Sequence, residues 1–171
     1  HALLAGKPVS TAAIGGVEGV QVVKSFIADK VSLGALTVAS VPALALDRWT
    51  SVSTVGNVGM PLLGQFDIVL DVSQGQLWLR SAPARARLPM LKDRSGLGLA
   101  ASATDLTVVH VASGSPADQA GWTVGEQVIA VNGRAIDASY TRGLLWQWRY
   151  GPAGSRVTLK LADGTTRMLN L

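Results

Sequence analysis

Apolar and polar positions alternate along much of the chain with a period near two, broken by glycine-rich turns, which is the pattern of strands with one face toward a core. Val20–Ala28, Lys30–Val38, Phe66–Asp71 and Gln76–Leu79 read as strands in the first half. Phe66, Ile68 and Leu70 alternate with Asp67, Val69 and Asp71, which predicts a half-buried strand, and Ser73-Gln-Gly-Gln76 turns it back into Leu77-Trp78-Leu79. Met60-Pro-Leu-Leu-Gly64 is the one helix candidate there, with Pro61 suited to a first turn. In the second half, strands are expected at Leu106–Val111, Gln127–Val131, Arg156–Leu161 and Thr166–Leu171. Asn132-Gly133 and Asp163-Gly164 are hairpin turns between them. Ser115 as N-cap, Pro116 at the first helical position and Gly121 as a stop specify one short helix. A second is predicted over Ala138–Arg149, where Thr141, Leu144, Leu145 and Trp148 share a face.

Composition narrows the class. The 171 residues are 48% hydrophobic and 15% charged, so a folded mainly β chain of one or two domains is expected. The uncharged run Val31–Leu46 is too short and too interrupted to span a bilayer, and no basic leader segment opens the chain. Cysteine is absent, which removes disulfides, thiolate metal sites and cysteine nucleophiles. Only His1 and His110 are present, too few for a histidine metal cluster, and neither a metal nor another cofactor is expected. The net charge of +4 is spread evenly and does not interleave with aromatics, so a nucleic-acid face is not expected. One basic stretch, Arg80 to Arg94, holds five of the fifteen Lys and Arg residues with Pro83 and Pro89, and reads as a solvated linker around 85–92.

Candidate chemistry is sparse. Asp67 and Asp71 lie on one strand face, which is a solvent-facing arrangement far more often than a catalytic pair. Gly-x-Ser-x-Gly is missing, and His110 alternates with Val108 and Leu106 inside a strand, the place of a hydrogen-bonded structural histidine. Trp148 falls on the apolar stripe of the second predicted helix, and Trp146 falls off it.

The blocks Ser95-Gly-Leu-Gly-Leu99, Gly114-Ser-Pro-Ala-x-x-Ala-Gly121, Gly125-Glu-x-Val-x-x-Val-Asn-Gly133, Pro152-x-Gly-Ser155 and the final Asp-Gly hairpin occur in one order over 93–171. Together they resemble a bacterial-type PDZ domain, an α+β fold with two short helices. Glu126 and Trp122 depart from the family's usual Asp and Leu. The resemblance implies capture of a peptide or a protein C-terminus by strand addition, with Gly96, Leu97, Gly98 and Leu99 as the carboxylate loop and Thr141 and Leu145 as pocket walls.

Residues 1–84 resemble the later part of a retropepsin-like aspartic protease lobe. The resemblance rests on Ile14-Gly-Gly-Val-Glu-Gly-Val20, Val31–Val38, Ser40-Val-Pro42 and Val58–Leu79. It implies a partial β-barrel, with Gly15, Gly16, Val17, Glu18 and Gly19 as a flap. Asn57-Val58 replaces the family's aliphatic pair before Gly59. No Asp is followed by Thr-Gly or Ser-Gly, so no catalytic residue can be named, and the chain alone is expected not to hydrolyse peptides. The two resemblances imply the C-terminal portion of a PDZ-containing aspartic endopeptidase, in a periplasmic or secreted setting. Its lobe would be completed by an upstream protease segment or a second copy. A non-catalytic peptide-binding scaffold is the alternative.

Overall fold

The protein was analysed as a computed structural model that describes residues 4–16, 19–47, 54, 56–82 and 90–171. Its described residues are mainly β, as the alternating pattern predicts. The chain folds as two compact units: His1–Pro8 with Phe26–Leu91, and Val9–Ser25 with Lys92–Leu171. Most of the expected linker, 85–89, and the flap residues Val17 and Glu18 lie outside the described residues.

Strands β1 (Val9–Gly16), β2 (Gly19–Leu33) and β3 (Leu36–Ala45) form a three-stranded sheet in that order. Two strands were expected to break near Asp29, but β2 runs through it. The turn falls at Gly34, whose φ of 59° is a left-handed conformation that glycine adopts without strain. In the first unit, Phe26, Val41, Leu62, Phe66 and Ala82 are buried. The single helical turn α1 (Met60–Leu63) carries Pro61 in its first turn as predicted. It leads into the antiparallel hairpin β4 (Phe66–Asp71) and β5 (Gln76–Ser81). Asp71 accepts from the Ser73 hydroxyl and the Gln74 N–H across the turn, which holds its carboxyl below the ordinary range.

The half-burial predicted for β4 is not observed. Phe66 is buried, whereas Ile68 and Leu70 are exposed, as are Val69, Leu77 and Trp78. The period-two pattern is present, but this two-stranded sheet pairs with no third strand among the described residues. Nor do the strands of this unit close into a barrel among those residues. Asp67 and Asp71 do not form a catalytic pair: Asp67 pairs with Arg80 at 3.0 Å, and Asp71 caps its own turn.

The second unit has a sheet in the order β11-β10-β8-β7-β6, with β9 paired to β8. Its strands are β6 (Leu97–Ala101), β7 (Leu106–Val111), β8 (Gln127–Val131), β9 (Arg134–Ala135), β10 (Arg156–Leu161) and β11 (Thr166–Asn170). Leu106, Val108, Val128, Val131, Leu159 and Leu169 are fully buried, forming a dry aliphatic core that Trp122, Tyr140 and Trp148 enclose. Asn132 and Gly133 take φ of 49° and 77°, the paired left-handed residues of the predicted hairpin turn. Helix α2 (Pro116–Gln119) is capped as expected: the Ser115 hydroxyl accepts from the Asp118 N–H at 3.2 Å.

The predicted second helix, Ala138–Arg149, is not continuous. Residues 138–144 form turns and bends, and only Leu145–Tyr150 is helical, as a 3-10 helix. Asp137 binds the Ser139 N–H and hydroxyl, and Tyr140 N–H donates to the Asp137 carbonyl, an i to i+3 bond that tightens the chain. Gly143 adds no helical preference. The tighter winding still places Trp148 in the core, where its Nε1–H donates to the Tyr140 hydroxyl at 3.0 Å. Trp146 is half-buried and meets Tyr150 edge-on at 5.4 Å.

Trp122 and Glu126 meet on one side chain. Arg167 pairs with Glu126 at 2.8 Å, and its guanidinium lies 5.2 Å from the Trp122 ring centre. A longer carboxylate and an aromatic face at these positions therefore share a single cation.

Candidate functional site

The loop before β6 is held by a chain of polar contacts that begins at Asp93. Its carboxylate accepts from the Ser95 N–H at 2.9 Å and the Ser95 hydroxyl at 2.7 Å. Ser95 is fully buried, and its Oγ accepts the Leu97 N–H at 3.1 Å. The Ser95 carbonyl accepts from Ala117 in α2, and the Gly96 carbonyl accepts from Ala112. Arg149, from the 3-10 helix, pairs with Asp93 at 2.5 Å and donates to the Leu97 carbonyl. Backbone groups, the short Asp93 and Ser95 side chains and the Arg149 guanidinium thus fix the loop before any ligand arrives.

Gly96 has φ of 77°, and a Cβ there would lie 2.1 Å from the Ser115 Oγ, so the turn and the close approach of the α2 cap both require glycine. Gly98 has a different reason. Its φ is unremarkable for a strand, but a Cβ would stand 2.6 Å from the Ala13 Cβ and 2.9 Å from the His110 Cβ. Strand β1 passes close over β6 at this point. The Thr11 Oγ1 lies 2.9 Å from the His110 Nε2, so His110 is hydrogen-bonded as expected, with a partner 99 residues away.

Strand β6 stands at the end of its sheet, so the edge facing away from β7 presents backbone groups to an incoming strand. Of the candidate loop residues, Leu97 and Gly98 are buried and Leu99 packs partly against the core. The Leu97 N–H, one of the donors expected to converge on a ligand carboxylate, donates to Ser95 instead. Asp93 neutralises Arg149, so attraction for an anion here would come from peptide dipoles rather than net charge. Leu145 is partly buried against the core, whereas Thr141 is exposed on the irregular turn. Gly15, Gly16 and Gly19 are exposed at the ends of β1 and β2.

Asp93, Ser95 and Arg149 are the site residues that sequence reasoning missed. Asp93-Arg94-Ser95 carries a local signal, the Asx-turn spacing. Arg149 carries none, because its partners lie more than fifty residues away. Burial raises the phenols of Tyr140 and Tyr150 above their ordinary value and keeps both neutral beside Arg149. Among the described residues no group of His, Asp and Glu could hold a metal. No described helix is long and apolar enough to cross a membrane.

No protein-family profile matches the chain, and no curated protein does. A solved structure of an HtrA-type protease, AlgW with a decapeptide, is similar at 15% identity and a TM-score of 0.40, over 96% of this chain and 58% of that one. The chain thus spans little more than half of that protein's length, and likeness at this level assigns no activity.

Proposed function

We propose that residues 93–171 are a PDZ domain that binds an extended peptide by strand addition to the open edge of β6, with Gly96–Leu99 receiving a terminal carboxylate. The observation that carries this reading is the juxtaposition of an edge strand, unpaired on its outer side among the described residues, with a loop braced by Asp93, Ser95, Ala117 and Arg149. A prepaid loop costs a ligand little ordering entropy. The loop, first hairpin, short capped helix, second hairpin and final hairpin of this unit follow the order of the sequence motifs, with a 3-10 turn where a longer helix was expected. The wider reading, supported by sequence resemblance alone, is the C-terminal portion of a PDZ-containing aspartic endopeptidase, whose catalytic aspartates this chain does not supply.

Calorimetric titration with peptides ending in a free apolar residue, each compared with its C-terminal amide, tests the binding reading. One charge-assisted hydrogen bond is worth about 1.5–3 kcal/mol, so the amide is expected to bind at least tenfold more weakly. Equal affinities would remove terminal-carboxylate recognition. For the wider reading, the purified chain is expected to show no pepstatin-sensitive cleavage, and a longer product of the same gene with an upstream Asp-Thr-Gly or Asp-Ser-Gly is expected to show it.

A further inference from the structure

The path of β1 across the second sheet points beyond carboxylate capture. Thr11 and Ala13 are two residues apart on β1 and so share a face. Thr11 bonds to His110 of β7, and Ala13 rests on Gly98 of β6, while Gly98 and His110 are direct cross-strand partners. β1 therefore crosses from β7 to β6 on one face of the sheet, heading for the open edge. Strands in a sheet lie about 4.8 Å apart, and two residues of extended chain advance about 6.6 Å. The next residue on that face, Gly15, lies one such step further, above the position an added strand would occupy.

We infer that a peptide added to β6 lies beneath the Gly15–Gly16 end of β1, which makes this end a wall of the binding site that reads the ligand side chain across from Gly98. That side chain belongs to the same cross-strand row as Gly98 and His110, so it points at β1 rather than into the core-side pocket. Gly15 and Gly16 carry no side chains there, and a Cβ on either would meet nothing within 4 Å in the free protein. At Gly98 strand β1 already lies so close that a Cβ would stand 2.6 Å from the Ala13 Cβ, so the ligand class is an extended peptide with a small residue at that position.

This inference rests on the strand-addition reading, and the test separates the two. The probes are ten-residue peptides with a free C-terminal apolar residue, differing only by Ala or Trp at each of the last five positions. They are titrated against the full chain and its Gly15→Leu variant. Trp is expected to weaken binding about tenfold at one position or at alternate ones, and Gly15→Leu is expected to weaken the all-Ala peptide similarly at unchanged Tm. The amide resonances of Gly15 and Gly16 in the unmodified chain are expected to shift on titration, and they decide the matter if the variant unfolds. Binding that tolerates Trp everywhere, with those resonances unmoved, overturns the inference and leaves strand addition standing. A panel in which no peptide binds overturns both.

Discussion

The β6–β11 sheet and the β4–β5 hairpin are written in the same alternating code, yet one makes a dry core and the other does not. Leu106, Val108, Val128, Leu159 and Leu169 have no accessible surface, while Leu70 and Trp78 keep 64% and 60% of theirs. The difference is partner count. In the larger sheet the inward residues of several strands form one buried cluster with Trp122, Tyr140 and Trp148. The hairpin has two strands, and its cross-strand pairs Val69–Trp78 and Leu70–Leu77 stay exposed among the described residues. Alternation sets which side chains share a face; burial of that face needs a second layer, and a lone hairpin is marginal in water.

Removing core volume gives the largest expected effect. Leu159→Ala is expected to cost about 2–5 kcal/mol in denaturant unfolding, whereas Leu70→Ala is expected to stay within about 0.5 kcal/mol. Similar losses at both sites would mean that the hairpin is covered in solution and would erase the contrast.

Next comes Gly96→Ala, at about 2 kcal/mol. The left-handed backbone costs an L-residue roughly 1–2 kcal/mol, and the new methyl must displace the Ser115 side chain that caps α2. Chemical denaturation of this variant beside Gly75→Ala sharpens the point. Gly75 also has positive φ, but its added Cβ meets open space, so the difference between the two reports the Ser115 contact.

Trp78→Lys addresses the exposed hairpin directly. It is expected to leave stability within about 0.5 kcal/mol while lowering any concentration-dependent self-association seen by light scattering. A stability loss as large as that of Leu159→Ala would show that Trp78 is a core residue in a state other than this one.

Acid gives the smallest effect. The Ser139, Thr165 and Ser102 hydroxyls donate to Asp137, Asp163 and Asp105 and hold these carboxyls below their ordinary value of 3.8. Because the folded value is the lower one, the stabilisation is present above pH 3.8 and lost as pH falls through the folded values. Asp137 and Asp163 are exposed and Asp105 is half-buried, all beside turns of the second unit, so a shallow fall in Tm below that pH is expected, reduced in Asp137→Asn. A Tm that rises on acidification would contradict the assignment.

Much of the strand layout could be read from the residues alone. β4, β7, β8 and β10 lie where alternation placed them, and Ser115-Pro116 and Asn132-Gly133 form the cap and the turn that their local chemistry dictates. Such features depend on a few neighbouring residues, and so they are visible in one dimension. The 138–149 segment failed as a helix because helical spacing does not separate 3.6 residues per turn from a tighter winding. Asp137 capping Ser139, and Trp148 bonding to Tyr140, chose the latter. Only the tertiary structure could show that Gly98 is glycine for the sake of Ala13, that His110 is held by Thr11, and that Arg149 braces the loop through Asp93 and Leu97. These contacts join residues 52 to 99 positions apart, and no local pattern encodes which distant side chain the chain brings back to fill a given space.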